Sequence, residues 1–142
     1  MTENGRNAGK PTALAMVVCD TVLRDESTKK MALVGLFDMI STPQVPVRHD
    51  RMHIFISVTD GHGRMPFLVQ CRAPDERIIF EAGGEVEFMD PLAVTDLNIE
   101  ARGLIFHVQG TYIFEFYCGG ELLAMRRFTV VCPPADTSES NS

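Results

Sequence analysis

The sequence predicts an all-β fold, an antiparallel two-sheet β-sandwich of about eight strands. Three observations carry that expectation. Short apolar runs recur at intervals of roughly ten residues, separated by turn signals. Within several of them apolar and polar side chains alternate with the two-residue period of a half-buried strand. No region supplies the repeated long amphipathic helices that parallel βαβ units require.

The elements follow in chain order. Residues 13–23 (ALAMVVCDTVL) form a first apolar run and residues 31–40 (MALVGLFDMI) a second. The polar turn DESTKK between them makes the pair a β-hairpin. Pro43 and Pro46 mark residues 42–50 as a loop or a broken edge strand. Met52, Ile54, Ile56 and Val58 then share one strand face, with His53, Ser57 and Thr59 on the other and Phe55 as the exception. Asp60-Gly61-His62-Gly63 is a turn. Phe67, Val69 and Cys71 form the next strand, and Ala73-Pro74-Asp75-Glu76 the next turn. Ile78 to Phe80 read as a short strand that Gly83-Gly84 breaks, with another starting near Val86.

Residues 90–104 carry both helical spacing and alternation. The β-branched Val94, Thr95 and Ile99 favour a strand. Tyr112, Phe114, Phe116 and Cys118 form the clearest strand. Gly119-Gly120 supplies the positive φ of a tight hairpin turn. Leu122, Ala124, Phe128 and Val130 continue beyond it, with a bulge expected near Arg126. The chain has no Trp, so it lacks the buried tryptophan of antibody domains. The topology is expected to be immunoglobulin-like or related. Tyr112, just after Gly110, resembles a tyrosine corner, with an ordinary core aromatic as the alternative.

The chain has 142 residues, which fits one domain. Residues 1–11 and 133–142 are polar and read as disordered tails, leaving 12–132 as the sandwich. The net charge of −6 argues against nucleic acid and against an anionic membrane surface, both of which need a basic footprint. No apolar stretch approaches the roughly 18 residues of a membrane span. Met1 to Thr12 lack the apolar core of a secretory signal. A cytoplasmic location with reduced thiols is the expectation, and none of Cys19, Cys71, Cys118 and Cys132 forms a CxxC pair.

Two hairpins carry a family pattern. The opening one has Cys19-Asp20, a polar turn, then Leu33, Gly35, Phe37-Asp38 and Ile40 before the Pro43 loop. The closing one has Leu104, Phe106, Gly110, Tyr112, Phe114, Gly119, Gly120 and Glu121 before a final apolar strand. The pattern resembles a family of small bacterial β-sandwich proteins of unknown function, over most of residues 13–131. The resemblance implies the fold and no catalytic residue.

No GxSxG elbow, HxH or HExxH is present, and the chain is not expected to be an enzyme or to hold a cofactor. Gly61-x-Gly63 and Gly83-Gly84 read as turns rather than phosphate loops. Asp38, Asp50, Asp60, Asp90 and Asp96 lie near strand ends. They support an alternative function, a ligand-binding sandwich whose loops take calcium or a glycan. The leading expectation is a non-catalytic protein-interaction or accessory module, with an unidentified protein partner or a homo-oligomer. Its candidate interface residues are Asp20, Asp38, Phe55 and Tyr117. The first two are charges inside apolar strands, costly unless they face solvent, form a salt bridge such as Asp20 with Arg24, or meet a partner. Phe55 and Tyr117, with Leu68 and Ile113, form an apolar patch if they lie on an outward face, the alternative being that they point inward or pack under a loop.

Overall fold

A computed structural model describes residues 10–134. Nine strands appear among them: β1 Thr12–Arg24, β2 Met31–Leu36, β3 Met39–Ser41, β4 Val47–Thr59, β5 Gly63–Arg72, β6 Ile78–Phe88, β7 Thr95–Phe106, β8 Gly110–Cys118 and β9 Glu121–Val131. They form two sheets, ordered β2-β1-β4-β7 and β3-β9-β8-β5-β6. The fold is thus a β-sandwich. β1, β4 and β7 occupy the places of strands A, B and E of an immunoglobulin-type domain, and β6, β5, β8 and β9 those of C′, C, F and G. The strands run from Thr12 to Val131; of the tails expected at residues 1–11 and 133–142, residues 1–9 and 135–142 lie outside the described residues.

The core sits between the sheets, where the alternation put it. Met52, Ile54, Ile56 and Val58 of β4 are fully buried and face Val69, Cys71, Phe114 and Phe116 of the other sheet's strands. One end is filled by aromatic rings. Phe106 meets Tyr112 edge-on at 5.0 Å, and Phe128 stacks on both Tyr112 and Phe114 at 5.5 Å. Such pairs contribute about 0.5–1.5 kcal/mol each beyond their buried area. Tyr112 is a tyrosine corner. Its hydroxyl donates to the Val108 carbonyl at 2.7 Å and accepts from the Val108 N–H at 3.3 Å. It thereby ties the β7–β8 crossover to the start of β8.

Five local expectations are corrected. The run 31–40 is two strands, not one. β2 pairs with β1, whereas β3 crosses to the other sheet and pairs parallel with β9, so the sandwich is not wholly antiparallel. A continuous apolar run carries no mark of a change of sheet. Residues 47–50 belong to β4, a central strand between β1 and β7, because Pro46 stops just short of the ladder. Gly83-Gly84 do not break β6. A Cβ at Gly83 would lie 3.0 Å from the Phe67 carbonyl and one at Gly84 3.2 Å from the Phe67 ring, so the glycines admit Phe67 within a continuous strand. The bulge in β9 falls at Leu123: Tyr117 pairs with Leu122 but Phe116 with Ala124. At Arg126 the ladder is regular, opposite Phe114, and the residue is exposed where β9 runs on beyond β3, which flanks it only from Thr129 onward. Finally, residues 90–94 are a turn, and the strand expected across 90–104 begins at Thr95.

Candidate interaction surface

A sandwich has four sheet edges, and each must be kept from pairing with other chains. Here three are guarded. β6 carries the exposed Glu81, Glu85 and Glu87, two of them paired with Arg64. β7 carries the exposed Asp96, Glu100 and Arg102. β3 is only three residues long. The fourth edge, β2, reads MALVGL and has no charge, no proline and no helix over it among the described residues.

The hairpin geometry turns that edge outward. The Asp25 N–H donates to the Lys30 carbonyl at 2.8 Å. In an antiparallel ladder alternate residues bond across, so Ala32 and Val34 bond toward β1 while Met31 and Leu33 point N–H and C=O to the open side. The turn is braced by Asp25, whose carboxylate accepts from the backbone N–H groups of Thr28 (3.1 Å) and Ser27 (2.9 Å). Those bonds hold its carboxyl below the usual range. Two exposed cations, Lys29 and Lys30, precede β2, and the exposed Asp38 follows it.

The outer face of the same sheet is apolar beside this edge. The register puts Val34 beside Thr21 and Leu36 beside Cys19, which in turn neighbours His53. Val34 is 49% and Leu36 60% exposed. Val17 and Phe55 continue the strip inward. Phe55 is only 8% exposed yet stands apart from the core cluster, so it is an outward-facing residue covered by its neighbours. Cys19 is fully buried in the same strip, where burial raises its thiol pKa.

Of the four candidate residues, Asp20 lies on β1 beside β2 and Asp38 just after β2. The Asp20 carboxylate lies against Gly35, where any Cβ would collide with it at 2.6 Å. The local Asp20–Arg24 salt bridge is out of reach, because four residues of extended strand span roughly 13 Å. Asp20 instead borders an open cleft with Arg48, His49, Arg51 and Arg102. The Asp38 carbonyl accepts from Thr129 N–H at 3.0 Å, which leaves its side chain exposed at the crossover to β3. Phe55 lies on the outer face of one sheet and Tyr117 on that of the other, so they do not form one patch.

Around Tyr117 sits a polar hub that the alternation pattern did not reveal. Glu115 alternates with the core residues Phe114 and Phe116 and reads as solvent-facing, yet it is 8% exposed. Its Oε1 accepts from Gln70 Nε2 at 2.7 Å and from Arg72 at 3.3 Å, with the Tyr117 hydroxyl at 3.5 Å. Burial pushes the Glu115 carboxyl up, but the bonds from Gln70 and Arg72 outweigh it and leave the pKa lowered. Leu68 and Tyr117 stand opposite each other beside this hub.

The loop carboxylates do not converge. Asp60, Asp90 and Asp96 lie where β4 ends and β7 begins, whereas Asp38 and Asp50 lie toward the opposite end. Among the described residues no group of three or more His, Cys, Asp or Glu side chains is placed to hold a metal ion.

The chain is similar to part of the alkylpurine DNA glycosylase AlkC of Pseudomonas fluorescens, solved bound to DNA containing an abasic-site analogue. The identity is 9%, the TM-score 0.50, and the match covers 86% of this chain and 30% of that one. It is also similar to an immunoglobulin-like protein of Pseudomonas aeruginosa, with 13% identity, TM-score 0.42 and coverage of 87% and 98%. A third likeness is to a β-glucosidase of Kluyveromyces marxianus, with 15% identity, TM-score 0.42 and coverage of 75% and 16%. No curated protein matches the sequence. A family model matches residues 14–131, from the start of β1 to the end of β9, and on that match the chain belongs to the family of unknown function DUF6941.

Proposed function

We propose that this domain is a non-catalytic interaction module that takes an extended segment of a protein partner onto the open edge of β2. The uncharged, exposed β2 edge supports this reading above any other feature. Main-chain groups of an added strand would bond to Met31 and Leu33, and its side chains would extend the strip of Val34 and Leu36. Two further observations fit. Burial pushes the Cys71 thiol up to about 12, which suits a core residue and not a nucleophile. The four cysteines are free thiols, as a reducing cytoplasm would keep them.

The test compares two baits, the tagged wild-type chain and Val34→Lys, in pull-downs from the protein's own cell lysate. Val34 is exposed, so the lysine guards the edge without entering the core. A stoichiometric protein held by the wild type and lost by the variant is the expected result. The same proteins on both baits would remove β2 as the docking edge. Recovery of the bait alone would count against a partner.

A further inference from the structure

Residues 48–51 read Arg-His-Asp-Arg, just after Pro46 and before the buried run of β4. The ladder between β1 and β4 ends at the pair Cys19–His53. Beyond it β1 runs on to Arg24 beside β2, and β4 reaches back to Val47 beside β7. An open cleft of about 600 Å³ lies in this fork, lined by Asp20 and Thr21 of β1, Arg48, His49 and Arg51 of β4, and Arg102 of β7. Two glycines shape its walls. Gly35 of β2 takes φ 77°, and a Cβ there would lie 2.6 Å from the Asp20 carboxylate. Gly103 of β7 takes φ 65°, and a Cβ there would lie 2.8 Å from Arg48 Nη2. Ala101, Leu104 and Phe106 are buried, so the two-residue period of β7 breaks at this glycine. Each flanking strand thus gives up a side chain where a charged group of the cleft lies against it.

The three guanidinia are only partly occupied. Arg51 and Arg102 stand directly opposite each other in the ladder, a costly placement for like charges. One oxygen, Oε2 of Glu100, serves both, at 3.7 and 3.1 Å. Arg48 has Asp50 at 3.8 Å, beyond hydrogen-bond reach. Arg64, Arg72 and Arg77, by contrast, donate hydrogen bonds to carboxylates. A guanidinium carries five N–H donors, so most of those in the cleft have no protein acceptor among the described residues.

We infer that this fork binds a small phosphate monoester that also bears a hydroxyl group, as a sugar phosphate does. The site goes beyond strand docking at β2 and does not depend on it. A phosphate presents three oxygens around a tetrahedron, and guanidinium forks from two strands can each take an edge of it. A carboxylate offers two oxygens in one plane, which a single fork saturates. The cleft gathers three guanidinia, from β4 and β7, so phosphate is the matching anion. A phosphate set between Arg51 and Arg102 also offsets their mutual repulsion. Asp20 selects the rest of the ligand. Its carboxylate repels a bare anion and accepts from a hydroxyl. The phosphate therefore sits toward β4 and β7, with the hydroxyl turned toward β1. The net charge of −6 disfavours extended polyanions and leaves this local cluster to a small one.

The experiment is isothermal titration calorimetry on the purified full chain at fixed ionic strength. The probes are glucose 6-phosphate, inorganic phosphate, glucose and succinate. The variants are Arg48→Ala, Arg51→Ala, Arg102→Ala and Asp20→Ala, with Arg126→Ala as a control outside the cleft. All five positions are exposed, and circular dichroism checks the fold. Glucose 6-phosphate should bind saturably, inorganic phosphate more weakly, and glucose and succinate not at all. Each cleft arginine variant should weaken glucose 6-phosphate roughly tenfold or more, the level at which a hydrogen bond to a charged group contributes. Arg126→Ala should leave it unchanged. Asp20→Ala should weaken glucose 6-phosphate yet tighten inorganic phosphate, a split that a merely structural role would not produce. Absence of saturable binding by both phosphate probes overturns the site. So does binding that all three cleft arginine variants leave intact, or that Arg126→Ala weakens equally. Succinate binding as tightly as the phosphates overturns the assignment to phosphate. Equal shifts of both phosphate probes in Asp20→Ala overturn the role given to Asp20. Docking at β2 is judged separately by the lysate comparison.

Discussion

Removing one oxygen atom at Tyr112 isolates the tyrosine corner from the packing of its ring. In Tyr112→Phe the ring keeps its contacts with Phe106 and Phe128, since only the hydroxyl is lost. Two hydrogen bonds to Val108 disappear, at 2.7 and 3.3 Å. A net contribution of about 0.5–1.5 kcal/mol per bond gives roughly 1–3 kcal/mol in all. Val108 is 38% exposed, so water can reach its freed backbone groups and the full penalty for orphaned polar atoms does not apply. The expected loss is therefore about 2 kcal/mol, or a fall in Tm of roughly 8 °C at about 4 °C per kcal/mol for a domain of this size. Urea unfolding followed by circular dichroism measures it, with the midpoint falling and the slope unchanged. Tyr117→Phe is the control, because its hydroxyl lies 3.5 Å from Glu115 and should contribute below about 0.5 kcal/mol. Equal, small losses in both variants would refute the claim that the corner fastens the β7–β8 crossover.

Two other outcomes follow from the titratable groups. The Glu115 carboxyl is lowered in the folded state, so its contribution is present above the ordinary carboxylate pKa and is lost as pH falls through the lower folded value. The stability gap between wild type and Glu115→Gln should be full at neutral pH and narrow as the pH falls below the ordinary carboxylate range in urea titrations, and a gap independent of pH would refute the role of charge. Cysteine labelling by a maleimide at mildly alkaline pH should modify Cys132 in the native protein and spare Cys19, Cys71 and Cys118, which are 0–1% exposed with thiol pKa values raised by burial. All four should react in urea. Native labelling of Cys71 as fast as Cys132 would contradict its place in the core.

Most strands were legible because each one's pattern is set by its own surroundings. A strand between core and solvent must alternate, and β4, β5 and β8 send every second side chain into the core: Met52, Ile54, Ile56 and Val58, then Val69 and Cys71, then Tyr112, Phe114, Phe116 and Cys118. The Gly119-Gly120 turn was legible for a similar local reason, since both glycines take positive φ (62° and 85°). Tyr112 was half legible: its place after Gly110 suggested the corner, but its bond to Val108 needed the crossover in space. Asp20 and Asp38 stood out as charges in apolar strands, and the structure sets Asp20 on β1 against Gly35 and Asp38 at the crossover to β3. For Phe55 and Tyr117 the sequence left an outward face and inward packing both open; they face outward, on opposite sheets.

What the sequence determined by itself was the all-β class, most strand positions and which face of each strand is buried. Those properties depend on local periodicity and turn chemistry. The tertiary structure alone decided that one apolar run serves two sheets, that Gly83-Gly84 admit Phe67, and that Glu115 is buried among donors. It also decided that β2 is an edge. An edge is defined by the absence of a neighbour, and neighbours are chosen by pairings between residues far apart in the chain.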